Sequence, residues 1–268
     1  MADDVLTEVD GHGVMLVTLN RPERMNSLSG DLIAGVMSAI ERASREDAIR
    51  ALVLTGNGRA FCAGAEVSAD SNPAGGGGGR TPPRSVQLDH FSSSGRMAEA
   101  FANCDVPVIG AINGVAAGGG FGIAMCMDVR FMAESARIGT IFIKRGIAAD
   151  YGLAYWLPRL VGPAKAYELL YEGNLIDAAR ALELGLANRV CPDDRLLDET
   201  LAYARRIAAG PPRAYTYARR LIRRSLDQNL HDSLELEWTY QSTLLRTADA
   251  REGFASFLER REPAFSGE

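Results

Sequence analysis

Apolar and polar positions give the chain two textures. In the front part, short apolar runs alternate with stretches of helical period. Val5–Val9 and Val14–Leu19 are β-rich runs separated by Asp10-Gly11-His12-Gly13, which predicts a hairpin with His12 in the turn. Asn20-Arg21-Pro22 ends the second run. Ser29 is placed to cap a helix reaching about Ala43, with Leu32, Ile33, Val36 and Ile40 on one face. Ala51–Thr55 reads as a buried strand closed by Gly56-Asn57-Gly58. A helix is expected from about Ser85 to Asn103, strands at Val108–Ile112 and Val129–Ala133, and a short apolar run at Ile138–Phe142. A loop over Lys144–Tyr151 and a helix ending at Pro158-Arg159 follow. This alternation predicts an α/β layered fold.

The texture changes from Pro163. Segments near 163–172, 177–185, 194–209, 212–228, 231–247 and 249–260 read as helices, with no strand expected after Val190. The expected division is a core over 1–190 and a C-terminal helical region over 191–268. The core is interrupted at 70–84 by a low-complexity insert with five consecutive glycines, Gly75–Gly79, and Pro82-Pro83. Such a segment cannot bury a core and is read as a flexible surface loop, with a lid as the alternative.

The most informative stretch is Pro107–Gly122, PVIGAINGVAAGGGFG. It reads as strand, turn, glycine loop and helix start. Helix-opening N–H groups have no partner inside the helix, and the dipole there favours negative charge. The loop therefore suits a buried anion or a developing oxyanion. It also suits a plain tight turn under a packed helix.

With 47% hydrophobic and 24% charged residues in 268, the composition is that of an ordinary globular protein. A net charge of −5 argues against general nucleic-acid binding. No run is long enough to span a bilayer, and the first residues lack the features of a signal peptide. Cys62, Cys104, Cys126 and Cys191 are scattered without a CxxC pair, so reduced thiols, a cytoplasmic location and no metal are expected. GxGxxG in register, a phosphate loop and GxSxG are all absent.

LNRPERMNSLS, RAFCAGAEV, PVIGAINGVAAGGGFGIAMCMDVRFMAESARIG and the late REGFASFLERREPAF, in that order, together resemble the crotonase (enoyl-CoA hydratase/isomerase) superfamily. The resemblance covers nearly the whole chain. It implies repeated ββα turns in two roughly perpendicular sheets, a C-terminal helical region, and trimers or hexamers built as dimers of trimers. It also implies an acyl-CoA thioester ligand, with coenzyme A entering as part of the substrate and no tightly bound cofactor. Two backbone N–H groups polarise the thioester carbonyl in this family; here they fall on Ala65 and Gly119. Ala63, Ala65, Glu66, Val67, Ser68, Gly118, Gly119 and Phe142 are the implied substrate contacts. Glu66 stands where the family usually has Asp, and a surface role fits it as well. His90, on the helix before the glycine strand, falls where relatives line the acyl pocket; an exposed helix histidine is the plainer reading.

The family's hydratases use two glutamates, and those positions here are Gly122 and Phe142. Without that pair nothing evident activates water. Glu134 is close in sequence but falls in a turn. Asp150, in GIAADYG, aligns with a carboxylate that some family isomerases use as a proton shuttle. An aspartate before a helix is also a common N-cap. The expected function is thus an enoyl-CoA double-bond isomerase using Asp150, in an apolar pocket lined by Phe142 and Ile147. Hydration without the glutamates, or acyl-CoA binding without catalysis, are the alternatives. Arg219, Arg220, Arg223 and Arg224 form a stripe read as a solvated face with acidic neighbours. One of them, or Arg260 or Arg261, is an alternative contact for a CoA phosphate. His231 is read as structural.

Overall fold

The computed structural model describes residues 3–66, 84 and 88–268. Val67, Ser68 and positions 70–83 of the insert lie outside the described residues, as does part of the helix expected from Ser85. In chain order the elements are β1 (Val5–Val9), β2 (Val14–Leu19), α1 (Gly30–Arg45), β3 (Ala51–Gly56), β4 (Ala60–Cys62), α2 (Ser92–Asn103), β5 (Val108–Ile112), β6 (Val115–Ala117), α3 (Gly119–Cys126), β7 (Val129–Ala133) and β8 (Arg137–Gly139). A 3-10 segment over Ile141–Arg145 leads to α4 (Leu153–Val161), α5 (Pro163–Glu172), β9 (Leu175–Asp177), α6 (Ala178–Glu183), β10 (Arg189–Cys191), α7 (Leu196–Ala208), α8 (Pro212–Arg224), α9 (Leu230–Leu244) and α10 (Ala248–Glu259).

Two mixed sheets result: six strands ordered β1-β2-β3-β5-β7-β10, and four ordered β4-β6-β8-β9. β3 and β5 pair in parallel, Leu52 opposite Val108, and are buried throughout, which explains their unbroken apolar sequences. The N-terminal hairpin is antiparallel, Val5 opposite Leu19. Its turn is closed by Asp10, whose carboxylate accepts from the N–H groups of His12 at 2.9 Å and Val14 at 3.0 Å. The Ser29 hydroxyl accepts from Leu32 N–H at 3.1 Å, so the expected cap is present. All four cysteines are buried and free. No described helix is long and apolar enough to cross a membrane.

Several expectations are corrected. β9 pairs antiparallel with β8, Arg137 opposite Asp177, in a region expected to hold only a helix start. Three largely exposed residues carry no readable period. β10 runs one residue past Val190 and extends the larger sheet. α4 continues through Pro158 to Val161; the stop comes at Gly162, whose φ of 77° favours glycine. α2 begins at Ser92, which leaves His90 in an exposed bend ahead of it rather than on the helix.

The arginine stripe on α8 is not a solvated face. The Arg219 side chain is only 6% exposed, and its Nε donates to Asp128 at 2.6 Å. Its other nitrogens donate to the carbonyls of Phe101, at 2.6 Å, and Cys104, at the end of α2. Arg223 donates to the Cys126 carbonyl at the end of α3 and to Asp128, both at 2.9 Å. Arg220 pairs with Asp105 at 2.5 Å. The last carbonyls of a helix lack partners and the dipole there favours cations. The planar guanidinium, with its fork of donors, therefore docks α8 on two helix ends at once.

Arg219→Ala leaves the Phe101 and Cys104 carbonyls without this donor and takes one of the two arginines from Asp128; it is expected to cost about 3 kcal/mol in urea unfolding. Arg224→Ala, an exposed neighbour, is expected to change stability by well under 1 kcal/mol.

Candidate active site

The site is built where β4 and its following loop meet the glycine loop before α3. The RPERMN segment comes first. Met25 and Asn26 take left-handed φ of 52° each. The buried Asn26 side chain accepts from Arg21 N–H at 2.8 Å and donates to the carbonyls of Asn57 at 3.0 Å and Ala60 at 2.7 Å. This holds the segment on β4. From it, the Met25 carbonyl accepts from Ala63 N–H at 3.0 Å, and Leu28 N–H donates to the Gly64 carbonyl at 2.9 Å. Ala65 is thereby fixed as a bridge partner of Leu28.

On the other side, Gly118 takes a φ of 55° and donates its N–H to the Gly139 carbonyl at 3.0 Å. Gly119 then opens α3. The two sides touch: a Cβ on Gly64 would stand 2.7 Å from the Ala117 carbonyl and 3.4 Å from the Gly119 nitrogen. Gly64, at φ 92°, can sit there because it has no side chain. No acceptor among the described residues takes the Ala65 or Gly119 N–H. Two spare donors therefore stand on adjoining backbones, an arrangement able to stabilise a carbonyl oxygen that gains negative charge.

Asp150 lies on the loop facing α3, its carbonyl 3.2 Å from where a Gly122 Cβ would stand. It is not an N-cap: Gly152 occupies that position of α4 without any side-chain cap. Among the described residues no cation pairs with its carboxylate. The residue is open to solvent on one side, yet enough protein surrounds it that desolvation raises its pKa from 3.8 to about 6, against a lowering by its own backbone N–H. Phe142 is buried, its ring 3.9 Å from a Cβ placed on Gly118. Ile147, expected to share that wall, is 50% exposed, because residues 143–148 run along the surface.

Glu66, His90, Glu134, His231 and Arg261 are all exposed. Glu66 is paired with Arg21 at 3.0 Å and sits near Arg24 at 3.9 Å. His90 is exposed ahead of α2, and Glu134 is exposed beyond β7. His231 pairs with Glu235 at 3.4 Å on the surface of α9. Arg261 is held by Glu252 and Glu259. No group of metal-ligating side chains occurs among the described residues. Cavities of about 560 Å³, between α3, α7 and α8, and about 870 Å³, between α2, α4 and α8, lie elsewhere; Ala65, Gly119 and Asp150 line neither.

Tyr151 is the site residue that sequence patterns did not flag. It is buried, takes a φ of 53°, and packs its ring edge 2.8 Å from where a Gly119 Cβ would be. Burial raises its hydroxyl pKa, and the Asp150 charge adds to the rise. Its only sequence hint is a bulky residue between Asp150 and Gly152.

The sequence profile of the enoyl-CoA hydratase/isomerase family matches residues 10–268. The chain is 36% identical over 269 residues to the 1,2-epoxyphenylacetyl-CoA isomerase of Escherichia coli, with 100% of each chain covered. It is 31% identical to the crotonyl-CoA hydratase of Syntrophomonas wolfei, with 92% of each covered. The crystal structure of an enoyl-CoA hydratase from Bacillus anthracis superposes with a TM-score of 0.89 at 32% identity, over 99% of this chain and 100% of that one. On this profile and these likenesses, with the two-sheet fold beneath them, the chain belongs to the crotonase (enoyl-CoA hydratase/isomerase) superfamily.

Proposed function

We propose that this protein moves a carbon–carbon double bond within an enoyl-CoA, with Asp150 carrying the proton and the Ala65 and Gly119 N–H groups holding the thioester oxygen. The Asp150 carboxylate takes a proton from C2 of a 3-enoyl thioester. The C–H electrons form a C1–C2 double bond, and the carbonyl electrons move to oxygen, where the two amides stabilise the dienolate. Asp150 then returns the proton to C4. The dienolate electrons collapse to a conjugated 2-enoyl product with no net gain or loss of atoms. A fixed donor pair suits this chemistry because each such donor contributes about 3 kcal/mol to the transition state.

The observation that carries the reading is the isolation of Asp150. It stands on the loop facing α3, without a cap role or, among the described residues, an ion pair, and its pKa is raised to about 6. That value suits a base working near neutral pH. Gly122 and Phe142 offer nothing that titrates, which weighs against water activation. The E. coli relative's name, an acyl-CoA isomerase, supports isomerisation. Hydration remains the competing reading, supported by the relatives named as hydratases.

The C-terminal helices are proposed to join subunits, as trimers or pairs of trimers. Leu230, Leu234 and Trp238 repeat every four residues along α9, and Trp238 is 66% exposed; Phe257 on α10 is 81% exposed. A second copy of the chain is the occupant this stripe fits.

Incubated with a 3-enoyl-CoA in deuterated water, the protein is expected to form the conjugated product. Asp150→Asn should lower kcat by roughly a hundredfold or more. Full activity in that variant overturns the role of Asp150. The wild-type rate should rise with pH through about 6, as the base ionises, and level off above. Stability should move the opposite way. A carboxyl with its folded pKa above 3.8 favours the folded state at low pH, and that advantage is lost as pH rises through about 6. Urea midpoints compared between pH 4 and 7 should fall further for wild type than for Asp150→Asn.

A further inference from the structure

Tyr151 carries no proton in the reaction above, yet it holds an unfavourable backbone at the centre of the site. Its φ of 53° is a left-handed conformation that a bulky side chain disfavours. The phenol is buried and pressed on the face of α3 presented by Gly119 and Gly122. A Cβ on Gly119 would lie 2.8 Å from the ring, and one on Gly122 only 2.6 Å from the Tyr151 Cβ. Positions three apart on a helix share a face, so one side chain covers both. The second contact involves a Cβ fixed to backbone, which cannot swing aside. The Tyr151 carbonyl also accepts from the Cys126 thiol at 3.3 Å, which ties the loop to the end of the same helix.

We infer that Tyr151 is a positioning residue that decides what the enolate site does: its side chain fills the volume against Gly119 and Gly122 where a water molecule, or a side chain able to hold one, would otherwise stand. Hydration of a 2-enoyl thioester needs a water oxygen to bond to C3 as its proton passes to the Asp150 carboxylate and the C2–C3 π electrons pass to the thioester; that proton then goes to C2 as the enolate collapses. With that volume occupied, the proton held by Asp150 is the one delivered, and the double bond moves instead. The inference rests on the isomerase reading. It adds that the choice of reaction is made by shape and not by the phenolic hydroxyl. A side chain introduced at Gly122 alone finds no room.

The test compares product partition for wild type, Tyr151→Phe, Tyr151→Gly and Tyr151→Asn. Each is given a 3-enoyl-CoA and, separately, a 2-enoyl-CoA in water enriched in oxygen-18. Glycine and asparagine both tolerate the left-handed backbone, so two small variants guard against loss of one fold. The labelled 3-hydroxyacyl-CoA fraction should rise roughly tenfold or more in the Gly and Asn variants, once water can enter. It should stay at the wild-type level in Tyr151→Phe. Gly122→Glu should gain hydration only when combined with Tyr151→Gly. An unchanged partition in both small variants overturns the inference, as does a Phe variant that hydrates like them, or a wild type that hydrates as readily as it isomerises. A wild type that converts neither substrate overturns the isomerase reading itself, and with it the basis for a role of Tyr151 in reaction choice.

Discussion

Two stretches of backbone, 59–65 and 114–120, lie against each other more closely than side chains allow. A Cβ on Gly114 would collide with the Arg59 carbonyl, one on Gly120 with the Cys62 carbonyl, and one on Gly64 with the Ala117 carbonyl. Glycine at each point lets β4 and β6 pair in parallel and then diverge into two loops that stay in contact. The placement of Ala65 and Gly119 follows from that approach. Their amides are spare because one lies beyond the last residue of a short strand and the other opens a helix. The donors belong to the main chain, so they are set by the fold and not by rotamers, which suits a charge that develops in place.

The surrounding structure holds this contact still. Asn26 ties the RPERMN segment to β4 and so fixes Leu28 against Gly64. Behind the site, Asp128 accepts from Val108 N–H at 2.8 Å as well as from Arg219 and Arg223, which joins β5, the ends of α2 and α3, and α8. The helical C-terminus is thus anchored through ion pairs to the element that opens with Gly119. Around the amides, burial does two different things. It lifts the Cys62 thiol to about 12, keeping it protonated, and lifts Asp150 only to about 6, so its carboxylate is ionised at neutral pH.

Much of this is legible in the sequence. The order of apolar run, turn and glycine loop over 107–122 gives β5, a turn and α3, but the structure adds β6 at Val115–Ala117, where no strand is expected, and opens α3 at Gly119, inside the expected glycine loop. The Ser29 cap and the Asp10 turn follow from local chemistry that needs no tertiary context. What the sequence hides depends on contacts between distant residues. Four arginines at helical spacing look like a wet face, because nothing nearby reveals that the ends of α2 and α3 await donors. β9 is too short to show a period. Gly122 and Phe142 read as missing carboxylates. That the face of Gly122 is covered by Tyr151 emerges only when the 146–152 loop folds back over α3. Asp150 reads from the sequence as either a cap or a base, and the loop gives the cap position to Gly152 instead.

Thioester activation of the proposed kind requires both amides to reach one oxygen. A crystal structure of the protein bound to an unreactive acyl-CoA thioester analogue measures this directly. The thioester oxygen should lie about 2.7–3.1 Å from both the Ala65 and Gly119 nitrogens, with the Asp150 carboxylate facing C2 and C4 of the acyl chain. A thioester oxygen that meets neither amide, or only one, with the acyl chain running away from Asp150, would contradict it.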